Sequence, residues 1–281
     1  MSTAFRKSSA KTGTLLRANP ILNRLGKVQE RAETNTATYA GIASKTTYFL
    51  VVTLVGMVLQ MIVNAALASE PVWQQFTVYE SFTVSLNLKE TLILGAVAAV
   101  GFICELVGVF VPRTIPVTGT VYSAGQGYLI SFLVFKVLAG NEYIGLEALL
   151  LTVAVVAAMC WLYSSGIVKV DQKFRSVLLA LVLGSVGFSL ISFIGSLIPA
   201  TREYVQMMLQ NSWLTMIIDV IGLVTAALFL ISDFNMVDTC VREGYPKKYE
   251  WVAAFGLVFT VLWIYLKILD LLMELNGKKD K

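Results

Sequence analysis

Residues 228–275 read LFLISDFNMVDTCVREGYPKKYEWVAAFGLVFTVLWIYLKILDLLMEL, two apolar runs joined by a polar segment. Asp233 lies near the end of the first run, and Lys267 and Asp270 lie inside the second. A charged side chain at the centre of a bilayer costs about 2.5–3.5 kcal/mol on insertion scales, so such residues are expected to be buried, paired and functional. The stretch therefore predicts a charged site inside a membrane protein, with the other helices arranged around it.

The composition predicts the same class of protein. Apolar residues make up 57% of the 281 residues and charged residues only 14%, against about 25% charged residues in soluble domains. Runs long enough to span a bilayer, which takes roughly 20 residues each, occur at about 46–69, 90–111, 118–138, 147–167, 176–199, 213–235 and 250–275. We predict an all-α polytopic membrane protein, a seven-transmembrane-helix bundle at 46–275 between a basic tail at 1–45 and a short basic tail at 276–281.

The distribution of lysine and arginine predicts the orientation. Basic residues are concentrated in the amino-terminal tail and in the segments that would share its side of the membrane, and such segments are cytosolic by the positive-inside rule. The carboxy-terminal lysines do not fit, because seven spans place them outside. Either they lie too far from the first helices to matter, or the last segment is re-entrant. The outer loop at 70–89 is rich in aromatic residues and is expected to lie along the membrane interface.

Several chemistries are disfavoured by the residues present. The chain has no histidine, which excludes His-ligated metals and a Ser-His or Cys-His nucleophile pair. Cys104, Cys160 and Cys240 are too far apart for a CxxC motif, and no glycine-rich nucleotide-binding loop follows a strand. We expect a protein that is not an enzyme, with no resident cofactor and no nucleic-acid partner.

The candidate site residues are the charged side chains of the apolar runs: Glu105, Asp219, Asp233, Lys267 and Asp270. Asp219 and Asp233 are 14 residues apart, which places them within about 40° of one another around a helix and about 21 Å apart along it. They form either a polar track that faces the bundle or two acids in headgroup water at opposite ends of a span.

Lys267 lies too deep in the last run to reach the cytosolic surface by snorkelling. It has two possible partners: Asp270, three residues away on the same helix face, or an acid on another helix, for which we hypothesise Asp233. Glu105 either lines the same cavity or pairs with an interfacial base such as Arg113. Gln126 could form hydrogen bonds between helices.

Six segments of the sequence resemble one family. They are ANPILNRLG and TYAGIASKT near the start, VYSAGQGYLIS in the third run, and GIVKVDQKFRSVLLALVLG, which precedes LISDFNMVDTCVREG and YEWVAAFGLVFTVLWIYLKILDLL. In this order they resemble the Bax inhibitor family (transmembrane Bax inhibitor motif proteins), specifically its YccA-like bacterial branch. The resemblance implies a seven-helix bundle with the last helix central. It also implies a pair of acids, one in the SDFN segment and one in the last helix, that share protons and gate a calcium leak.

The chain departs from this pattern at two positions. Asp233 matches the first acid, but Lys267 stands where the family carries the second, and Gln126 stands where relatives usually have a glutamate. Two carboxylates in contact titrate as a coupled pair, whereas a lysine and a carboxylate form a salt bridge that stays ionised, and a fixed positive charge repels a divalent cation. The pH gating implied by the family is therefore expected to be altered or lost.

Two functions remain open. The first is a cation leak with calcium as the transported ion, in which Asp233, Glu105 and Asp219 form the polar wall and Lys267 holds the pathway shut. The second is a non-conducting regulator that binds a membrane protease or another membrane protein. Both imply an integral protein of a bacterial inner membrane, surrounded by lipid, with its amino terminus in the cytosol.

Overall fold

The computed structural model describes residues 36–78, 82–209 and 212–277. The predicted tails at 1–45 and 276–281 lie mostly outside these residues. The described helices, in chain order, are α1 (Tyr39–Ala66), α2 (Leu88–Phe110), α3 (Ile115–Phe132), α4 (Tyr143–Ser164), α5 (Gln172–Leu197), α6 (Pro199–Leu209), α7 (Ser212–Arg242) and α8 (Tyr249–Gly277). A 3-10 turn at Pro112–Thr114 precedes α3, and a wider π turn at Leu133–Val137 continues it.

Within the described ranges, six helices are long and apolar enough to cross a membrane: α1, α2, α4, α5, α7 and α8. Each coincides with one of the predicted spans. The remaining predicted span, 118–138, is formed by α3 and its π turn and is not among the six. Its many Thr, Ser, Gly and Gln residues lower its hydropathy. Because α3 packs against α1, α2 and α8, these small and polar side chains contact protein.

The apolar helices differ in how much of their surface is enclosed. In α8, 67% of the most apolar stretch is buried, against 11–33% in the other five. Large apolar side chains of α1, α2, α4 and α5 are exposed instead, for example Leu54, Phe102, Leu150 and Ile191. Exposed apolar surface on this scale fits contact with lipid. The last helix packs against α1, α3, α4 and α7 and is one uninterrupted helix of 29 residues, so it does not turn back within the bilayer as the re-entrant alternative requires.

The loop between α1 and α2 contains a β-hairpin that the sequence analysis did not predict. Strand β1 (Gln74–Val78) pairs antiparallel with β2 (Phe82–Leu86). Phe82, Val84 and Leu86 are buried, while Thr83 between them is exposed. This two-residue alternation is the pattern of a strand with one covered face, and it lies within only five residues.

The first helix begins at Tyr39, seven residues before the predicted start of the first span at 46. Thr38 caps it, because its side chain accepts a hydrogen bond from the Gly41 amide. Immediately before the cap, the Ala37 amide donates to the Tyr245 carbonyl oxygen at 2.7 Å. The start of α1 is thereby fixed to the loop that joins α7 to α8.

Two glycines allow α1 and α3 to pack with their backbones in contact. A Cβ atom added to Gly127 would overlap the Thr53 carbonyl oxygen and lie 2.7 Å from the Thr53 carbonyl carbon. A Cβ on Gly56 would overlap the Ala124 carbonyl in the same way, 2.8 Å from its carbon. Small residues at such crossings are typical of membrane helices, which pack through close van der Waals contact.

Candidate functional site between α7 and α8

Asp233 is completely buried on α7 and faces the last helix. The hydroxyl group of Thr260, on α8, donates a hydrogen bond of 2.5 Å to Asp233 Oδ2. A carboxylate buried away from water needs such donors, because an unsatisfied charged group is very costly in an apolar environment. Thr260 is 1% exposed, so this contact lies inside the bundle.

Lys267 forms its ion pair with Asp219. The distance between Lys267 Nζ and Asp219 Oδ1 is 2.8 Å, and Asp270 Oδ2 lies 3.8 Å from the same nitrogen. Asp219 is 7% exposed, so it is not an acid in headgroup water. Asp270 lies close enough to help neutralise Lys267, as one of the two predicted alternatives has it. The nearer carboxylate, however, belongs to the other helix.

The hypothesis that Asp233 is the partner of Lys267 is wrong. Asp219 and Asp233 are 14 residues apart on one continuous helix, about 21 Å along its axis, and the ammonium group lies beside Asp219. The physical reason is the antiparallel arrangement of α7 and α8 about their short connection. Thr260 is nearer the connection and meets Asp233, while Lys267 is two turns further away and reaches towards the start of α7.

Gly222 leaves room for the lysine side chain to cross α7. A Cβ atom at this position would lie 3.4 Å from both Cδ and Cε of Lys267, so the methylene groups run against the helix backbone. Asp219 lies three residues before Gly222, on the same side of the helix. The sequence of α7 therefore provides both the acid that binds Lys267 and the space that the lysine side chain occupies.

A cavity of about 840 Å³ lies beside this pair of helices. It is lined by residues of α2, α3, α5, α7 and α8, including Glu105, Gln126, Thr260 and Lys267. Asp219 and Asp233 do not line it. Each is instead attached to a residue that does, Asp219 to Lys267 and Asp233 to Thr260. Of the six predicted site residues, Glu105, Gln126 and Lys267 line the cavity, and the acids Asp219, Asp233 and Asp270 each contact a residue that lines it.

A comparison with protein families matches residues 19–277 of the chain to the family described as Bax inhibitor 1 like. The chain belongs to this family. The match confirms the resemblance to the Bax inhibitor family, and together with the apolar helices it identifies an integral membrane protein. A search of curated proteins found no match.

This Bax inhibitor 1 like chain has a second buried charged cluster, which the sequence analysis missed. Glu250, at the start of α8, is completely buried and forms a salt bridge with Lys45 of α1. The Thr38 amide donates to Glu250 Oε1 at 2.9 Å, and the Thr38 hydroxyl lies 3.2 Å from the same oxygen. Lys45 Nζ also lies 5.3 Å from the centre of the Trp251 ring. The cluster ties the start of α1 to the start of α8.

A signal for this cluster was present in the sequence. Thr38 and Lys45 both lie in TYAGIASKT, one of the segments on which the family resemblance rests. Lys45 is the last residue of the predicted tail at 1–45, and Glu250 is the first residue of the predicted run at 250–275. Only the packing of α1 against α8 shows that the two charges meet.

We expect Glu250→Gln to lower the free energy of unfolding by about 2 kcal/mol, because the Lys45 ammonium group would lose its charged partner at a largely buried position. Glu243→Gln, an exposed glutamate in the same connection, is the matched control and should change stability by less than about 0.5 kcal/mol. Thermal and detergent-induced unfolding of the purified variants measure both. Equal stability of the two variants would show that the cluster does not anchor α1.

Within the described ranges, no group of three or more histidine, cysteine or acidic side chains is arranged to hold a metal ion. The site instead consists of an acid bound by a lysine and an acid bound by a threonine. Each of these two contacts can hold the helices together at one point, and replacing either partner would break that contact.

Proposed function

We propose that this protein is a cation-leak protein of the Bax inhibitor type, with calcium as the transported ion, whose pathway beside α7 and α8 is held closed by the Lys267–Asp219 pair. In this proposal α3 is the seventh span and the last helix is central. The protein is of the YccA-like bacterial type, lies in the inner membrane and has its amino terminus in the cytosol. Glu105 and Gln126 contribute the polar wall, and Asp233 lies behind it, bound to Thr260.

One observation carries the proposal. Lys267 occupies the position at which the family resemblance implies an acid, and its ammonium group is bound to Asp219 at 2.8 Å. The Lys267–Asp219 pair joins α7 to α8 beside the cavity, and this link between the two helices supports a closed pathway.

The proposal predicts that Lys267→Asp opens a calcium flux that the parent protein lacks. The variant would place a third carboxylate between Asp219 and Asp270, and carboxylates in contact titrate as a coupled group, so the flux should depend on pH. We expect an increase of at least about tenfold, because two unit charges about 4 Å apart interact by about 4 kcal/mol at an effective dielectric constant of 20.

Purified protein in liposomes loaded with a calcium indicator measures this flux as a function of pH. Lys267→Met is the matched control, since it removes the positive charge without adding an acid, and it should give a smaller flux with little dependence on pH. Asp233→Asn in the Lys267→Asp background tests whether Asp233 contributes to the wall. Calcium entry at equal rates in the parent and in Lys267→Asp would contradict the role given to the ion pair.

A second function, regulation of a membrane protease or another membrane protein without conduction, is favoured by the surface of α5. Apart from Leu178 and Ser192, the side chains of this helix are at least partly exposed. Gly184 and Gly187 have open space where a side chain would be, which suits close approach by another transmembrane helix. Absence of flux from every variant, with the protein folded, would favour this function over the first.

A further inference from the structure

The cavity beside α7 and α8 has the size and lining of a small-molecule site. Its volume of about 840 Å³ falls within the roughly 300–1,000 Å³ of known ligand sites. Its walls are formed by residues of α2, α3, α5, α7 and α8. Most lining side chains are apolar, with a few polar groups among them, as in sites that bind amphipathic ligands.

The two charged residues of the lining differ in what neutralises them. Lys267 is bound to Asp219 and lies 3.8 Å from Asp270, so its charge is already balanced by two carboxylates. Glu105 has no salt bridge or hydrogen bond from its side chain to another of the described residues, and it is only half-buried among apolar neighbours. The cavity therefore offers a negative group in need of a partner and no available positive one.

Aromatic rings line the same cavity as this carboxylate. Tyr122 stacks on Phe259 with ring centres 5.9 Å apart. A second pair, Phe229 and Trp263, has ring centres 5.7 Å apart. The faces of such rings attract cations, and rings around a carboxylate are the usual surroundings of bound ammonium groups.

We propose that this cavity binds a hydrophobic organic cation, of the quaternary ammonium or phosphonium class, with its positive centre at Glu105 and its apolar groups against the Tyr122–Phe259 and Phe229–Trp263 pairs. An anionic amphiphile fits less well, because Lys267 is occupied by Asp219 and the remaining charge of the lining is negative. The proposal does not depend on ion conduction, since it concerns binding at equilibrium.

Tetraphenylphosphonium and tetraphenylborate test this proposal directly, since they share shape and size and differ in the sign of their charge. Equilibrium dialysis of the purified protein in an uncharged detergent, corrected for uptake by empty micelles, gives the affinity for each ion. We expect saturable binding of the phosphonium ion and none of the borate. If the unaltered protein bound the two ions equally, or preferred the borate, the proposal would be wrong.

Glu105→Gln should weaken phosphonium binding by about tenfold, because it removes the opposite charge from a partly enclosed cavity. Glu203→Gln, at an exposed glutamate of α6 outside the cavity lining, is the matched control and should leave the affinity unchanged. Trp263→Leu should weaken binding of the cation by about threefold to tenfold. An unchanged affinity in a folded Glu105→Gln variant would show that the carboxylate does not recognise the cation.

Discussion

Gly127→Ala is expected to destabilise the protein by about 3 kcal/mol or more, the upper end of the cost of overpacking a close-packed interior. The added methyl group would overlap the Thr53 carbonyl oxygen and lie 2.7 Å from the carbonyl carbon. Because these are backbone atoms, no rotamer change can remove the overlap, and α1 and α3 would have to separate. Detergent-induced unfolding followed by circular dichroism measures the change.

Gly125→Ala, two residues earlier on the same helix, is the control. Its methyl group would meet Val97 Cγ1 at 3.5 Å, an ordinary contact, and alanine is favoured over glycine in a helix by about 1 kcal/mol. This variant should be as stable as the parent or more so. If both variants had the same stability, the two helices would not be in backbone contact at Gly127.

Asp219→Asn is expected to cost about 2–3 kcal/mol of stability, because it removes the nearer partner of a largely buried ammonium group. The cost is kept below the 3–5 kcal/mol typical of a fully buried pair by Asp270, whose carboxylate lies 3.8 Å from Lys267 Nζ. Unfolding measurements in mixed micelles, made under the same conditions as for the glycine variants, provide the comparison.

The double variant Asp219→Asn with Lys267→Met distinguishes an ion pair from two independent effects. Methionine retains an unbranched apolar stem against Gly222 and leaves no charge that needs a partner. The double variant should therefore be more stable than Asp219→Asn alone. If the two single changes added without coupling, the residues would not interact in the folded protein.

The predicted pairing of Lys267 with Asp233 was wrong, because Lys267 is bound to Asp219 and Asp233 to Thr260. Charge within apolar runs identified Asp219, Asp233 and Lys267, because such charges are too costly to be incidental. Their pairing depends on where α8 lies against α7, which the spacing along either helix does not determine. Asp219 is the partner because it lies as far from the connecting loop as Lys267 does, and because the lysine side chain can cross α7 at Gly222.

Other elements were missed because their signals are short or depend on packing. The hairpin at 74–86 has only five residues per strand, and its alternation is too brief to stand out from an aromatic-rich loop. Glu250 and Lys45 lie at the edges of their apolar runs, where a charge is ordinarily solvated. They are buried because the start of α1 is bound to the connection between α7 and α8 through Ala37 and Tyr245.

The amino-acid sequence by itself determined that this is a helical membrane protein of the Bax inhibitor family with charges inside its last two helices. It could do so because the length of an apolar run, the energetic cost of a buried charge and the order of motifs are all local properties of a chain. The tertiary structure decided which charges meet, because Lys267 and Asp219 are 48 residues apart and come together only through the antiparallel packing of α7 and α8. It also decided that Glu105 and four aromatic rings line one cavity, since they come from helices α2, α3, α7 and α8, whose relative positions no local pattern specifies.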